Sequence, residues 1–200
     1  ERRTLVHVPI AGDLAAVSAN LLFGEQPAIT CEDAAAQERL DEILAESQAY
    51  NTLVEAADAC SGLGGVYLKV NWDAAVAPYP ILSIAQADAA LPEFRHGILV
   101  ACTFWRVLQD DGQTVWRLLE QHEPGSIETA LYRGSPDSIG GRVALTERVE
   151  TADIVPFLRT GIDGLLCRYI PNLRPNRRRR GSELGRADTD GCESLMDSLD

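Results

Sequence analysis

An α+β fold follows from three features of the 200-residue chain. Apolar side chains recur at helical spacing between Asp13 and Ser61. From Gly65 to Ile170 the chain breaks into short runs of β formers separated by glycine and proline. Between two of those runs stands Asp110-Asp111-Gly112, a strong hairpin signal. Helices first and strands afterwards, without alternation, predict N-terminal helices packed on one face of a mainly antiparallel sheet.

Taken in order, Asp13 is placed to cap a first helix, with Leu14, Val17, Leu21 and Leu22 recurring on one face and Gly24 ending it. Asp33 is placed to cap a second helical stretch that carries Leu40, Ile43 and Leu44. The stretch continues through Leu53, Val54, Ala57 and Cys60. Asn51 and Thr52, poor helix formers, predict two helices or a bend near them. The string Ser61-Gly62-Leu63-Gly64-Gly65 then stops the helix. Strands are predicted at Val66–Trp72, Pro80–Ile84, Ile98–Leu108, Thr114–Glu120, Ser126–Tyr132, Arg142–Leu145 and Gly164–Ile170, with Gly140-Gly141 as a connection. Organisation by region is residues 1–62 helical, 63–170 mainly antiparallel β, 171–190 a Pro/Arg-rich loop, and 191–200 the start of a further helix. The opening Glu1-Arg2-Arg3 and this closing segment read as a piece of a longer protein.

Hydrophobic residues at 46% and charged residues at 24% allow a sizeable core. No run approaches the roughly 18 apolar residues that span a bilayer, and no signal peptide is legible, so no membrane partner is expected. The net charge of −12 argues against nucleic-acid binding through the overall field. Cys31, Cys60, Cys102, Cys167 and Cys192 contain no CxxC pair, and His7, His96 and His122 have no ligand spacing to them. Reduced thiols and no metal site are expected.

Each candidate for chemistry has a plainer alternative. Ser61–Gly65 lies between a helix and a strand, the reverse of a phosphate loop, and reads as a helix C-cap. Asp88, Glu93 and His96 could perform acid–base work in a small intracellular α+β enzyme; the alternative is an exposed turn broken by Pro92. Gly134-Ser135-Pro136 lacks the GxSxG elbow and reads as a hairpin turn. Cys167 reads as a buried, inert thiol. Trp72, Trp105 and Trp116 read as sheet packing. Arg177, Arg178, Arg179 and Arg180 form the one strong positive patch, able to contact phosphate backbone or an acidic neighbour, or to remain a solvated loop. Four adjacent guanidiniums repel, so the segment from Pro171 to Asp188 is expected to be ordered only by a partner. No catalytic residue, cofactor site or metal ligand set stands out.

Several strings, in their order, are similar to tailed-bacteriophage portal (head–tail connector) proteins, in particular those of phages of GC-rich Gram-positive bacteria. They are Leu5 to Gly24, Gly64-Gly-Val-Tyr-Leu-Lys-Val-Asn-Trp-Asp73, Ala87-Asp-Ala-Ala-Leu-Pro-Glu-Phe-Arg95 with Thr103-Phe-Trp-Arg106, Tyr169-Ile-Pro-Asn-Leu-Arg-Pro-Asn176, and Gly185-Arg186-Ala187-Asp188. Many portals carry Gly-x-Ser-Asp at the last string; Ala187 stands in the serine's place, which removes any capping by that hydroxyl. The resemblance implies a structural subunit, not an enzyme, of a homo-oligomeric ring, usually of twelve copies, at one capsid vertex of the virion, assembled in the host cytoplasm. Double-stranded DNA passes through such a ring non-specifically during packaging and ejection. Capsid and scaffold proteins are implied partners. The packaging motor and head-completion proteins would dock on downstream regions, since the order of regions places this chain mostly in the wing, ahead of stem and clip. A non-portal phage head or adaptor protein would share the compositional features.

Overall fold

The computed structural model describes residues 9–192 and 194. Helix α1 spans Ile10–Phe23, α2 Ala34–Glu46 and α3 Ala49–Leu63. The α1 cap position is Pro9, and Asp13 donates its backbone N–H to the Pro9 carbonyl at 3.0 Å. Asp13 therefore belongs to the first turn and is not the cap. Asp33 does cap α2: its carboxylate accepts from the Ala36 N–H at 2.8 Å. The long helical stretch divides at Ser47-Gln48, ahead of Asn51 and Thr52, because Gln48 adopts φ 51° and cannot continue a right-handed helix. At the end of α3, Gly64 takes φ 79°, so the glycine string is a helix C-cap.

Within α1 the packing reverses the sequence expectation. Leu14, Val17, Leu21 and Leu22 are exposed, whereas Ala15 and Ala19 are buried. α1 packs on α3, which buries Ala49, Ala56 and Ala57. Small side chains on both helices allow close approach, and this contact, rather than the bulk of the leucines, sets which face points inward.

The strands form two sheets where one was expected. β1 (Gly65–Asn71) lies between β2 (Ile81–Gln86) and β9 (Cys167–Pro171), with β1 and β2 antiparallel and α3 packed against both. The larger sheet runs β3 (Ala90–Arg95), β4 (Ile98–Asp110), β5 (Val115–Glu123), β6 (Ser126–Ser135) and β7 (Ser138–Val143), and β8 (Phe157–Arg159) also pairs with β6. The strand pairings of this larger sheet are antiparallel. The predicted α+β class therefore holds, but it is α3, with α1 and α2 packed on it, that lies against the small sheet. The chain divides into two compact units, residues 1–87 with 169–200 and residues 88–168. The division does not follow the change from helix to strand near residue 62, because β1 and β2 belong with the helices.

The Asp110-Asp111-Gly112 hairpin joins β4 to β5, with Asp110 opposite Val115. The Asp111 carboxylate accepts from the Thr114 and Gln113 N–H groups at 2.6 and 2.9 Å, and these bonds hold it below its ordinary pKa. The β6–β7 turn falls at Pro136-Asp137, where Ser135 faces Ser138, and Gly140-Gly141 lies inside β7.

Candidate functional site

Strings far apart in the sequence converge in the first unit. The Asp188 carboxylate accepts from Ser61 Oγ at 2.6 Å, Asn172 Nδ2 at 2.8 Å and Ser18 Oγ at 3.3 Å, and its own N–H donates to the Ser61 carbonyl at 3.0 Å. One side chain thus ties α1, the end of α3 and the segment after β9. These hydroxyl and amide donors, led by Ser61, favour the charged form and lower the Asp188 pKa against the opposing effect of burial. Cys60 shifts the other way, raised by burial and then by the Asp188 charge. Beside this carboxylate the Asn172 N–H donates to the Gly64 carbonyl at 3.1 Å, and Tyr169 Oη accepts from the Gly185 N–H at 2.9 Å. Tyr169 stacks on Tyr67 of β1 at 4.8 Å between ring centroids, and burial raises its pKa. Backbones pass so closely here that a Cβ on Gly185 would lie within 3.0 Å of the Gly64 carbonyl oxygen and the Asn172 nitrogen.

The arginine segment is mounted on this cluster. The Asn176 amide nitrogen donates to the Leu184 and Gly185 carbonyls at 3.3 and 3.0 Å; its oxygen accepts from the Arg178 and Arg179 N–H groups at 3.1 and 3.0 Å. Leu173 and Arg186 form a bridge, and Arg174 pairs with Glu183 at 2.6 Å. The segment is therefore closed by its own backbone and amide side chains, and these bonds do not involve the four guanidiniums. Arg177 to Arg180 are all exposed. Arg178 approaches Asp190 at 3.5 Å, and among the described residues no ion pair engages Arg177, Arg179 or Arg180. The result is a fixed turn that presents cations to solvent.

Asn176→Ala should release this turn. Removing the amide that makes these hydrogen bonds should lower local stability by roughly 1–2 kcal/mol. Limited trypsin cleavage after Arg177 to Arg180 should then run about tenfold faster than in the parent chain. An unchanged cleavage rate would show that Asn176 does not hold the turn.

Asp88, Glu93 and His96 are not brought together. Asp88 lies in a 3-10 turn before β3, Glu93 within β3 and His96 in the two-residue turn after it, all exposed. Strand rise alone puts roughly 17 Å between the ends of β3. Pro92 does not break that strand, because β3 is at the sheet edge, where a missing N–H is tolerated. His96-Gly97, both with positive φ, forms the tight turn. His7 lies outside the described residues, as does the closing helix beyond the turns at 187–192 and Ser194.

A polar group that no sequence motif marks lies in the second unit. His122 of β5 is 1% exposed; its Nε2 is 2.6 Å from Glu120 Oε1, and its ring meets Phe104 edge-on at 5.2 Å. Cys102 is its register partner, so thiol, imidazole and carboxylate share one face. Cys102 and His122 are wholly buried, so their visible role is packing. The i, i+2 spacing of Glu120 and His122 on a strand was the available signal. Trp116 is flanked by the Arg133 and Arg148 guanidiniums, each 5.4 Å from its ring centroid, whereas Trp72 falls past β1 and is exposed. The cysteines are thiols, with Cys102 and Cys167 buried. Among the described residues no group of three His, Cys, Asp or Glu is arranged to hold a metal ion, and no helix is long and apolar enough to cross a membrane. Comparison with protein-family models and with curated proteins finds no match for this chain.

Proposed function

We propose that the chain is the wing portion of a tailed-phage portal subunit, a structural protein of the ring through which viral DNA enters and leaves the capsid. The observation that supports this most is that the strings carrying the resemblance are structural partners. Ser18, Gly64, Tyr169 to Asn176 and Gly185 to Asp188 meet in one hydrogen-bonded cluster. The remaining two strings pair along β3 and β4, with Ala90 opposite Phe104 and Leu91 opposite Thr103. A conduit role fits the charge as well: at −12 the chain repels DNA and does not grip it.

In a ring built from heterologous contacts, one face of each subunit meets a different face of the next. The arginine turn suits the cationic side of such a contact. Helix α2 and the residues before it, with Glu32, Asp33, Glu38, Asp41, Glu42 and Glu46, offer an acidic counterpart. The experiment is electron microscopy and native mass spectrometry of the full-length gene product. A closed ring is expected, and a monomer at all concentrations would overturn the reading. Replacing Arg177 to Arg180 with serine should weaken assembly most at low salt, since exposed pairs are screened over roughly 8 Å at physiological ionic strength. Unchanged assembly with reduced DNA retention would assign the turn to phosphate instead. No change in either would make it a solvated connector.

A further inference from the structure

We propose that the larger sheet is extended by a second copy of the chain, with β8 of one copy pairing in parallel with β3 of the next. The inference rests on the second unit alone; in a portal ring it supplies one head-to-tail contact. Both strands are sheet edges, paired on one side only among the described residues. Thr129 donates its N–H to the Pro156 carbonyl at 2.8 Å, and Thr160 donates to the Gly125 carbonyl at 3.0 Å. Residues 156 and 160 therefore face β6, and alternation turns the N–H and C=O groups of Phe157 and Arg159 outward. On β3 the hairpin turn fixes the same alternation. His96 and Gly97 both have positive φ, so Arg95 and Ile98 close a two-residue hairpin and Arg95 faces β4. Ala90 and Pro92 then face outward, the side on which a proline's missing N–H is tolerated.

Strand direction and sheet face choose the pairing. The antiparallel steps from β3 through β4, β5 and β6 to β8 leave β3 and β8 running the same way. A neighbouring copy that continues the sheet with its faces preserved therefore lays β3 parallel to β8, a heterologous contact. The register passes from Leu91 to Thr103, Gln121, Glu128 and Phe157, so Leu91 and Phe157 lie on one face. A parallel ladder with Phe157 beside Leu91 of the next copy uses the groups already turned outward. The Phe157 N–H reaches the Ala90 carbonyl, and the Arg159 N–H reaches the Pro92 carbonyl. Leu91 and Phe157, 62% and 53% exposed, then cover each other. Arg159 comes beside Glu93; both are exposed, and neither forms an ion pair among the described residues. Two copies of β8 fit less well, because their antiparallel pairing sets Arg159 diagonal to its own counterpart on one face. Two copies of β3 would miss the Pro92 N–H twice.

With three residues in β8 the contact is small and weak, so self-association is expected at about 100 µM chain and above, followed by sedimentation velocity. Arg159→Glu and Glu93→Arg should each lower the association constant about tenfold, since like charges then meet across the pair. An equimolar mixture of the two variants should restore association, because the β8 of each meets an opposite charge on the β3 of the other. Recovery on mixing also shows that both variants fold. A parent chain that stays monomeric at these concentrations would overturn the proposal. So would association that neither substitution changes, or a mixture that associates no better than either variant alone. A chain that associates in this way but never closes into a ring keeps this contact and loses the portal reading. A ring insensitive to both substitutions does the reverse.

Discussion

Gly185→Ala is expected to destabilise the first unit by about 3 kcal/mol or more. The new Cβ would lie within 3.0 Å of the Gly64 carbonyl oxygen and the Asn172 nitrogen. Both are backbone atoms, and both are bonded: the Asn172 N–H donates to that same carbonyl at 3.1 Å. Neither can rotate away as a side chain would, so the substitution must part the end of α3 from the segment after β9. Gly112→Ala is the control. Gly112 has φ 82° with nothing within 4 Å of an added Cβ, so it carries only the backbone cost of a left-handed residue, about 1 kcal/mol. Amide exchange at α3 and β1 residues reads the first unit separately from the second. If Gly185→Ala costs no more than Gly112→Ala, close backbone packing does not hold this cluster together.

Removing the Asp188 carboxylate should also weaken the first unit. Asp188→Ala leaves the Ser61 hydroxyl, on a residue only 3% exposed, without its acceptor and also frees the Asn172 amide and the Ser18 hydroxyl. A loss of about 2 kcal/mol follows from leaving a buried donor unsatisfied. Asp188→Asn keeps an acceptor and should cost less. The folded-state pKa lies below the ordinary 3.8. A depressed carboxylate pKa contributes stability that is fully present above the unfolded value and lost as pH falls through the folded value. The first unit should therefore be pH-insensitive at this group near neutrality and weaken below about pH 4. Asp188→Asn should remove that part of the acid dependence, as followed by thermal unfolding between about pH 2 and 6. An identical acid profile in the variant would show that Asp188 is not the group responsible.

Local chemistry made several elements legible. Asp33 caps α2 because a carboxylate three residues ahead of a free N–H satisfies it wherever the helix is placed. Gly64 ends α3, and Asp110-Asp111-Gly112 turns β4 into β5, for the same reason: the bonds involved span a few residues. The apolar pattern misled at α1, where Leu14, Val17, Leu21 and Leu22 marked a face that points outward. It also missed β3 and β8, the first hidden by Pro92, which an edge position tolerates, and the second only three residues long. Most of the candidate site was not legible. Asn176 and Asp188 look like ordinary loop polar residues, and nothing in their neighbours names Ser18 or Ser61 as partners.

By itself the sequence determined the α+β class, the main helices and most strands, the hairpin between β4 and β5, and a cationic run on an acidic chain. These rest on periodicity, turn residues and charge, which act over short stretches. Only the tertiary structure decided that the strands divide into two sheets and that α1 packs through Ala15 and Ala19. The same holds for the convergence of Ser18, Ser61 and Asn172 on the Asp188 carboxylate and for the arginine segment's closure by its own backbone. The longest of these links joins groups 170 residues apart. Such contacts are selected by which close approaches the whole chain can satisfy at once, and no local pattern records that.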